Sequence, residues 1–66
     1  MVQINGKSED VAGVTLSRYL EKNGYIASHI AVERNLEIVS KSDYDNTVFQ
    51  DGDVIEIVSF VGGGCR

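Results

Sequence analysis

Three consecutive glycines, Gly62, Gly63 and Gly64, stand near the end of the 66-residue sequence, followed by Cys65 and Arg66. Glycine has no Cβ, so this segment fits a channel too narrow for other residues and suits insertion into another protein's active site. A glycine carboxylate becomes an acyl donor only after a phosphoryl or adenylyl group turns one oxygen into a leaving group. The segment has no side chain for that step, so a partner would supply the chemistry. The alternative is a frayed terminus.

Cys65 offers a second chemistry. An exposed thiol beside Arg66 gains thiolate character and could carry sulfur as a persulfide. His29 is the only histidine and Cys65 the only cysteine, so no metal-ligand spacing is present and we expect no metal site.

The other charged residues show no catalytic pattern. Asp51 and Asp53 flank Gly52 and are typical of a turn rather than of paired catalytic carboxylates. Glu33 and Arg34 are interpreted as solvated charges. The formal net charge is −4, with acidic residues scattered along the chain, so we expect neither nucleic acid nor an anionic membrane as a partner.

The length of the chain argues against an enzyme. A 66-residue domain has a thin core and little room to line a substrate cavity. The first ten residues lack the apolar core of a signal peptide, and no apolar run is long enough for a membrane helix. Small secreted domains usually contain several cysteines in disulfides, whereas this chain has only one. We therefore expect a cytoplasmic protein.

Local patterns predict a hairpin and then a helix. Residues 1–7 alternate apolar and polar side chains up to Asn5 and Gly6, the strongest signal for a tight hairpin, and residues 8–11 are a candidate for its second strand. Thr15 is a candidate cap for a helix, which Asn23 and Gly24 would end. The apolar face of that helix consists of Leu16, Tyr19 and Leu20.

Three more strands follow in the pattern. They cover residues 29–35, residues 37–39 after a turn at Asn35, and residues 54–61. A polar loop lies between the last two of these strands, and we expect Tyr44 in this loop to reach the core. Hairpin, helix and later strands together predict an α+β fold of the β-grasp type, in which a mixed sheet with a parallel pair packs on one helix.

The last strand leaves an apolar face uncovered. If Ile55 and Ile57 face the helix, alternation places Val58 and Phe60 on the opposite side. Exposed apolar clusters of this kind often bind partners, so Val58 and Phe60 are candidate partner-binding residues. The alternative is that Phe60 folds over the sheet edge as ordinary packing.

The chain resembles the ThiS family of sulfur carrier proteins of thiamin biosynthesis, which are ubiquitin-like β-grasp proteins. The resemblance rests on residues 4–7 at the hairpin, residues 30–35, and above all residues 51–64, and it extends over residues 1–64. It implies a β-grasp domain over residues 1–61 and a flexible glycine tail with a Cys-Arg extension over residues 62–66.

The resemblance also implies a mechanism. In this family a ThiF-type enzyme uses ATP to adenylate the terminal glycine carboxylate, which then becomes a thiocarboxylate. The sulfur usually derives from cysteine through a desulfurase, and the thiocarboxylate delivers it to thiazole synthase. Carried onto this chain, the glycine pair is Gly63 and Gly64, with the reactive carbonyl carbon on Gly64, and no cofactor is bound by the carrier itself.

Cys65 and Arg66 depart from the family pattern, because Gly64 in a peptide bond has no carboxylate to adenylate. One hypothesis is that a processing peptidase removes both residues. A second keeps them and uses the Cys65 thiol as the sulfur carrier, and a third assigns them to cloning.

Two other functions fit the same features. The small subunit of molybdopterin synthase uses the same chemistry but is usually longer. A ubiquitin-like modifier would be conjugated through Gly64 to lysines. A pure interaction module would never be activated.

Overall fold

The computed structural model describes residues 1–60. The elements in chain order are β1 (Val2–Ile4), β2 (Lys7–Glu9), α1 (Leu16–Lys22), β3 (Ile30–Arg34), β4 (Glu37–Ile38) and β5 (Val54–Ser59). Single turns of 3-10 helix, Ala27–His29 and Lys41–Asp43, precede β3 and follow β4. The strands form one sheet in the order β2-β1-β5-β3-β4, in which only β1 and β5, among the described strands, pair in parallel. The predicted mixed sheet with one helix is confirmed.

The first hairpin is confirmed, with a shift in its second strand. Asn5 and Gly6 both have positive φ angles, 52° and 85°, as a two-residue turn that matches the twist of the strands requires. The turn places Ile4 opposite Lys7, so pairing resumes directly after Gly6. The second strand therefore begins at Lys7 and ends at Glu9, and the prediction of residues 8–11 was wrong in both bounds.

The helix begins and ends as predicted. The Oγ1 atom of Thr15 accepts a hydrogen bond from the backbone N–H of Arg18 at 3.3 Å. Asn23 is the C-terminal cap, and Gly24 follows with a φ of 78°.

One core joins the helix to one face of the sheet. It contains alternate residues of the strands, the apolar face of α1 and two residues of the long loop before β5: Val2, Ile4, Leu16, Tyr19, Leu20, Ile30, Val32, Tyr44, Phe49, Ile55 and Ile57. The Tyr19 ring meets Phe49 edge to face, with ring centroids 5.6 Å apart. Tyr44 reaches the core, which confirms that prediction. Within residues 1–60, no helix is long and apolar enough to cross a membrane.

Candidate functional site

The residues predicted to carry the chemistry follow the central strand. In the described part of the chain, β5 ends at Ser59, one residue before Phe60 and two before the predicted bound at Val61. Val61 and the tail residues Gly62, Gly63, Gly64, Cys65 and Arg66 lie outside the described residues. β5 pairs with β1 on one side and β3 on the other, so the strand that leads to the tail has neighbours on both sides.

Asn5 fixes the second half of β5 where β1 has already ended. Its side-chain Oδ1 accepts a hydrogen bond from the backbone N–H of Ile57 at 2.8 Å, and its Nδ2 donates to the Ile57 carbonyl at 3.3 Å. Its backbone N–H donates to the Ile55 carbonyl at 3.0 Å. The Asn5 amide thus takes the place of a further β1 residue in the ladder.

A buried carboxylate fixes the other end of β5. Asp53 is 7% exposed. Its carboxylate accepts hydrogen bonds from the backbone N–H of Gln50 at 2.9 Å, from Arg34 Nε at 3.0 Å and from Asn35 Nδ2 at 3.1 Å. Asn35 Oδ1 in turn accepts from the backbone N–H of Val54 at 2.9 Å. The interpretation of Asp53 as a turn residue therefore holds, and its turn is tied to β3 as well.

The electrostatics of Asp53 correct one sequence interpretation. Burial raises the pKa of its carboxyl group, but the hydrogen bonds from Gln50 and Asn35 and the nearby charge of Arg34 outweigh that effect and hold the pKa below its ordinary value. Arg34 was expected to be solvated and is instead half-buried in an ion pair. The register causes this, because Arg34 lies opposite Ile55 and so points to the core side of the sheet.

The opposite side of the sheet carries a surface that we call the open face. Cross-strand register places eight strand residues on it, none of them buried: Gln3, Ser8, Ala31, Glu33, Ile38, Val54, Glu56 and Val58. Val58 is 55% exposed, and Phe60, just beyond β5, is 61% exposed. Their predicted exposure is confirmed, while their role in partner binding stays a prediction.

Phe60 lies at the end of the open face where β5 ends. Its backbone N–H donates to the carbonyl of His29 at 3.1 Å. The Lys41 ammonium group lies 5.8 Å from the centroid of the Phe60 ring and donates a hydrogen bond to the Ile30 carbonyl at 3.0 Å. Lys41 thus provides a hydrogen-bond donor for a carbonyl group of β3 and at the same time places its positive charge over the Phe60 ring.

This face also carries an acidic pair that the sequence pattern does not reveal. Glu33 and Glu56 are direct cross-strand partners of β3 and β5. Alternation within each strand shows that both face the same way, but only the strand order and register show that they are opposite each other. Among residues 1–60, no group of three or more His, Cys, Asp or Glu side chains could hold a metal ion.

Comparison with known proteins identifies the family. A sequence model of the ThiS family matches residues 2–64. The sulfur carrier protein ThiS of Bacillus subtilis is 41% identical over 70 residues, which cover 97% of this chain and all of that protein. The chain belongs to the ThiS family.

Two further relatives show the range of this ThiS-family similarity. The crystal structure of thiamine biosynthesis protein ThiS from Geobacter metallireducens superimposes with a TM-score of 0.74 at 30% identity, covering 96% of this chain and 97% of that one. This confirms the ubiquitin-like β-grasp fold. A thiazole synthase of Paramagnetospirillum magneticum is 47% identical over 62 residues, 92% of this chain, and the chain spans only 19% of its length.

Proposed function

We propose that this chain is a sulfur carrier of thiamin biosynthesis that holds sulfur as a thiocarboxylate on Gly64. The observation that carries the proposal is the extent of the family match, residues 2–64, which includes Gly64 and stops before Cys65. The carrier acts as a cosubstrate, while partner enzymes supply the catalytic groups and use the ATP.

Removal of Cys65 and Arg66 is the first step. A peptidase adds water across the Gly64–Cys65 bond, which leaves a carboxylate on Gly64 and an amine on Cys65. Without this step the Gly64 carbonyl stays in an amide, which has no free oxygen for adenylation.

Adenylation and sulfur transfer follow. The Gly64 carboxylate attacks the α-phosphorus of ATP in a ThiF-type enzyme, pyrophosphate leaves, and the glycine becomes an acyl adenylate. A cysteine desulfurase or a similar donor supplies the sulfur as a persulfide, and a thiol reductant releases it as sulfide while being oxidised to a disulfide; the sulfide then attacks the acyl carbon. AMP leaves and the thiocarboxylate remains.

Thiazole synthase is the proposed acceptor of the sulfur. The thiazole synthase relative contains, within its own polypeptide, a segment similar to almost all of this chain. Linking a carrier domain to the enzyme that uses its sulfur raises the local concentration of the carrier at that enzyme. The fusion therefore supports the proposal that this chain delivers sulfur to a separate thiazole synthase.

The test is reconstitution with two matched chains, one ending at Gly64 and one with all 66 residues. Each is mixed with the ThiF-type enzyme of the same organism and ATP, and pyrophosphate release is measured. The chain ending at Gly64 should release pyrophosphate and the longer one should not. No release from either chain would contradict the proposal, and release from the 66-residue chain would contradict the required removal of Cys65 and Arg66.

A further inference from the structure

The open face combines apolar side chains with a repulsive pair of charges. Val54 and Val58 are 44% and 55% exposed, and Ile38 on β4 is 72% exposed. Glu56 lies between the two valines along β5, and Glu33 lies between Glu56 and Ile38 across the sheet. The two carboxylates are therefore placed inside the apolar surface rather than at its rim.

Neither glutamate has a compensating group in the described part of the chain. The two ion pairs among residues 1–60 involve other carboxylates, and within that part of the chain no hydrogen bond reaches the side-chain carboxylate of Glu33 or of Glu56. Direct cross-strand partners have Cβ atoms about 5 Å apart, and like charges at that distance destabilise the sheet. The free protein thus retains two like charges on directly paired residues of an exposed face.

We propose that the open face docks on the adenylating enzyme, and that this enzyme presents a basic side chain, surrounded by apolar groups, to Glu33 and Glu56 together. The proposal rests on the proposed function and names the recognition chemistry of that encounter. Docking would remove both carboxylates from water, which is unfavourable unless a cation pairs with them. Arginine suits this role best, because its planar guanidinium has several N–H donors and can bridge two acceptors.

Charge favours this occupant over a second copy of the chain. None of the eight open-face residues is basic. Two copies laid face to face would therefore bring together two such pairs without a cation from either set of eight residues, an arrangement that like-charge repulsion opposes. The Lys41 ammonium group at the Phe60 end of the face already donates to the Ile30 carbonyl. A basic partner surface instead turns the repulsion between Glu33 and Glu56 into a shared attraction.

The test uses Glu33→Gln and Glu56→Gln in the chain ending at Gly64, with Glu21→Gln as the matched control. Glu21 is exposed on α1, away from the open face. Affinity for the ThiF-type enzyme of the same organism is measured by titration calorimetry at low and high salt, and the melting temperature of each free variant is measured alongside.

We expect the open-face variants to be more stable than the wild type but to bind the enzyme more weakly. Each open-face variant should melt about 2–5 °C higher than the wild type, because the repulsion is relieved. Each should also bind the enzyme at least about tenfold more weakly and with a smaller salt dependence, because the desolvated cation loses a partner. Glu21→Gln should change neither property.

The outcomes separate this inference from the proposed function. If the wild type binds and is adenylated while the open-face variants bind equally well, the docking inference is overturned and the carrier function stands. If the wild type self-associates in sedimentation and the open-face variants change the strength of that self-association, a second copy occupies the face and the inference is wrong. If the wild type neither binds nor releases pyrophosphate, both proposals are contradicted.

Discussion

Replacing Asp53 with asparagine should strongly destabilise the fold. The carboxylate accepts three hydrogen bonds, from Gln50 N, Arg34 Nε and Asn35 Nδ2. The asparagine side chain has nearly the same shape as the aspartate side chain, but its Nδ2 group donates hydrogen bonds. That group would therefore face one or more of these donors. Hydrogen bonds to a charged group contribute about 1.5–3 kcal/mol each, and breaking a buried pair leaves Arg34 without its partner.

The magnitude depends on how exposed the pair is. The side chain of Asp53 is 9% exposed and that of Arg34 is 31% exposed, so water compensates part of the loss at the arginine. We therefore expect Asp53→Asn to lower the free energy of unfolding by about 2–3 kcal/mol, a large share of the roughly 3–10 kcal/mol of a domain of this size. The melting temperature should fall by about 10–20 °C.

The assay is urea and thermal denaturation followed by circular dichroism, with Asp51→Asn as the control. Asp51 pairs with the amino terminus of Met1, but both groups are exposed, so its loss should cost less than about 0.5 kcal/mol. Equal effects of the two substitutions would refute the reasoning, because the two residues differ in burial and in the hydrogen bonds that they accept.

The pH dependence provides a second check on Asp53. The pKa of its carboxyl group is lowered in the folded protein from the ordinary value of 3.8, so its contribution to stability is fully present above that value. The contribution is lost as the pH falls through the folded-state pKa. The difference between the wild type and Asp53→Asn should therefore be constant near about pH 7 and shrink below about pH 4. A difference that grows on acidification would contradict the assignment.

Three further predictions concern the turn, the helix and the open face. Leu36→Gly should raise the free energy of unfolding by about 0.5–1 kcal/mol in urea denaturation, because Leu36 is 91% exposed with a φ of 71°, whereas Gly6→Leu at the equivalent turn position should lower it. Burial and a hydrogen bond to Glu9 raise the pKa of Tyr19 to about 12, so stability should fall as the pH rises above 10, and Tyr19→Phe should weaken that fall. Phe60→Asp should melt within a few degrees of the wild type yet slow pyrophosphate release by the adenylating enzyme about tenfold or more; an unchanged rate would remove Phe60 from the docking surface.

Elements set by local signals could be predicted from the sequence. The hairpin follows from Asn5 and Gly6, which tolerate positive φ, and the helix from the cap at Thr15 and the stop at Gly24. The exposure of Val58 follows from simple alternation along β5. In each case the deciding interaction joins residues close together in the chain.

Features that depend on strand order could not be predicted. Arg34 and Asp53 are nineteen positions apart in the sequence, and only the β3–β5 pairing brings their charges together. The same pairing places Glu33 opposite Glu56, which neither strand reveals by itself. The turn at Asn35 was predicted, but the positive φ of Leu36 was not, because a leucine rarely adopts that conformation.

The most direct test of the sulfur carrier account is the intact mass of the native protein, purified from its own cells and resolved well enough to read the C-terminus. The account predicts a chain that ends at Gly64, and a fraction whose mass is higher by the difference between one sulfur and one oxygen atom. A chain that retains Cys65 and Arg66 and carries no added sulfur, even in cells starved of thiamin, would contradict it.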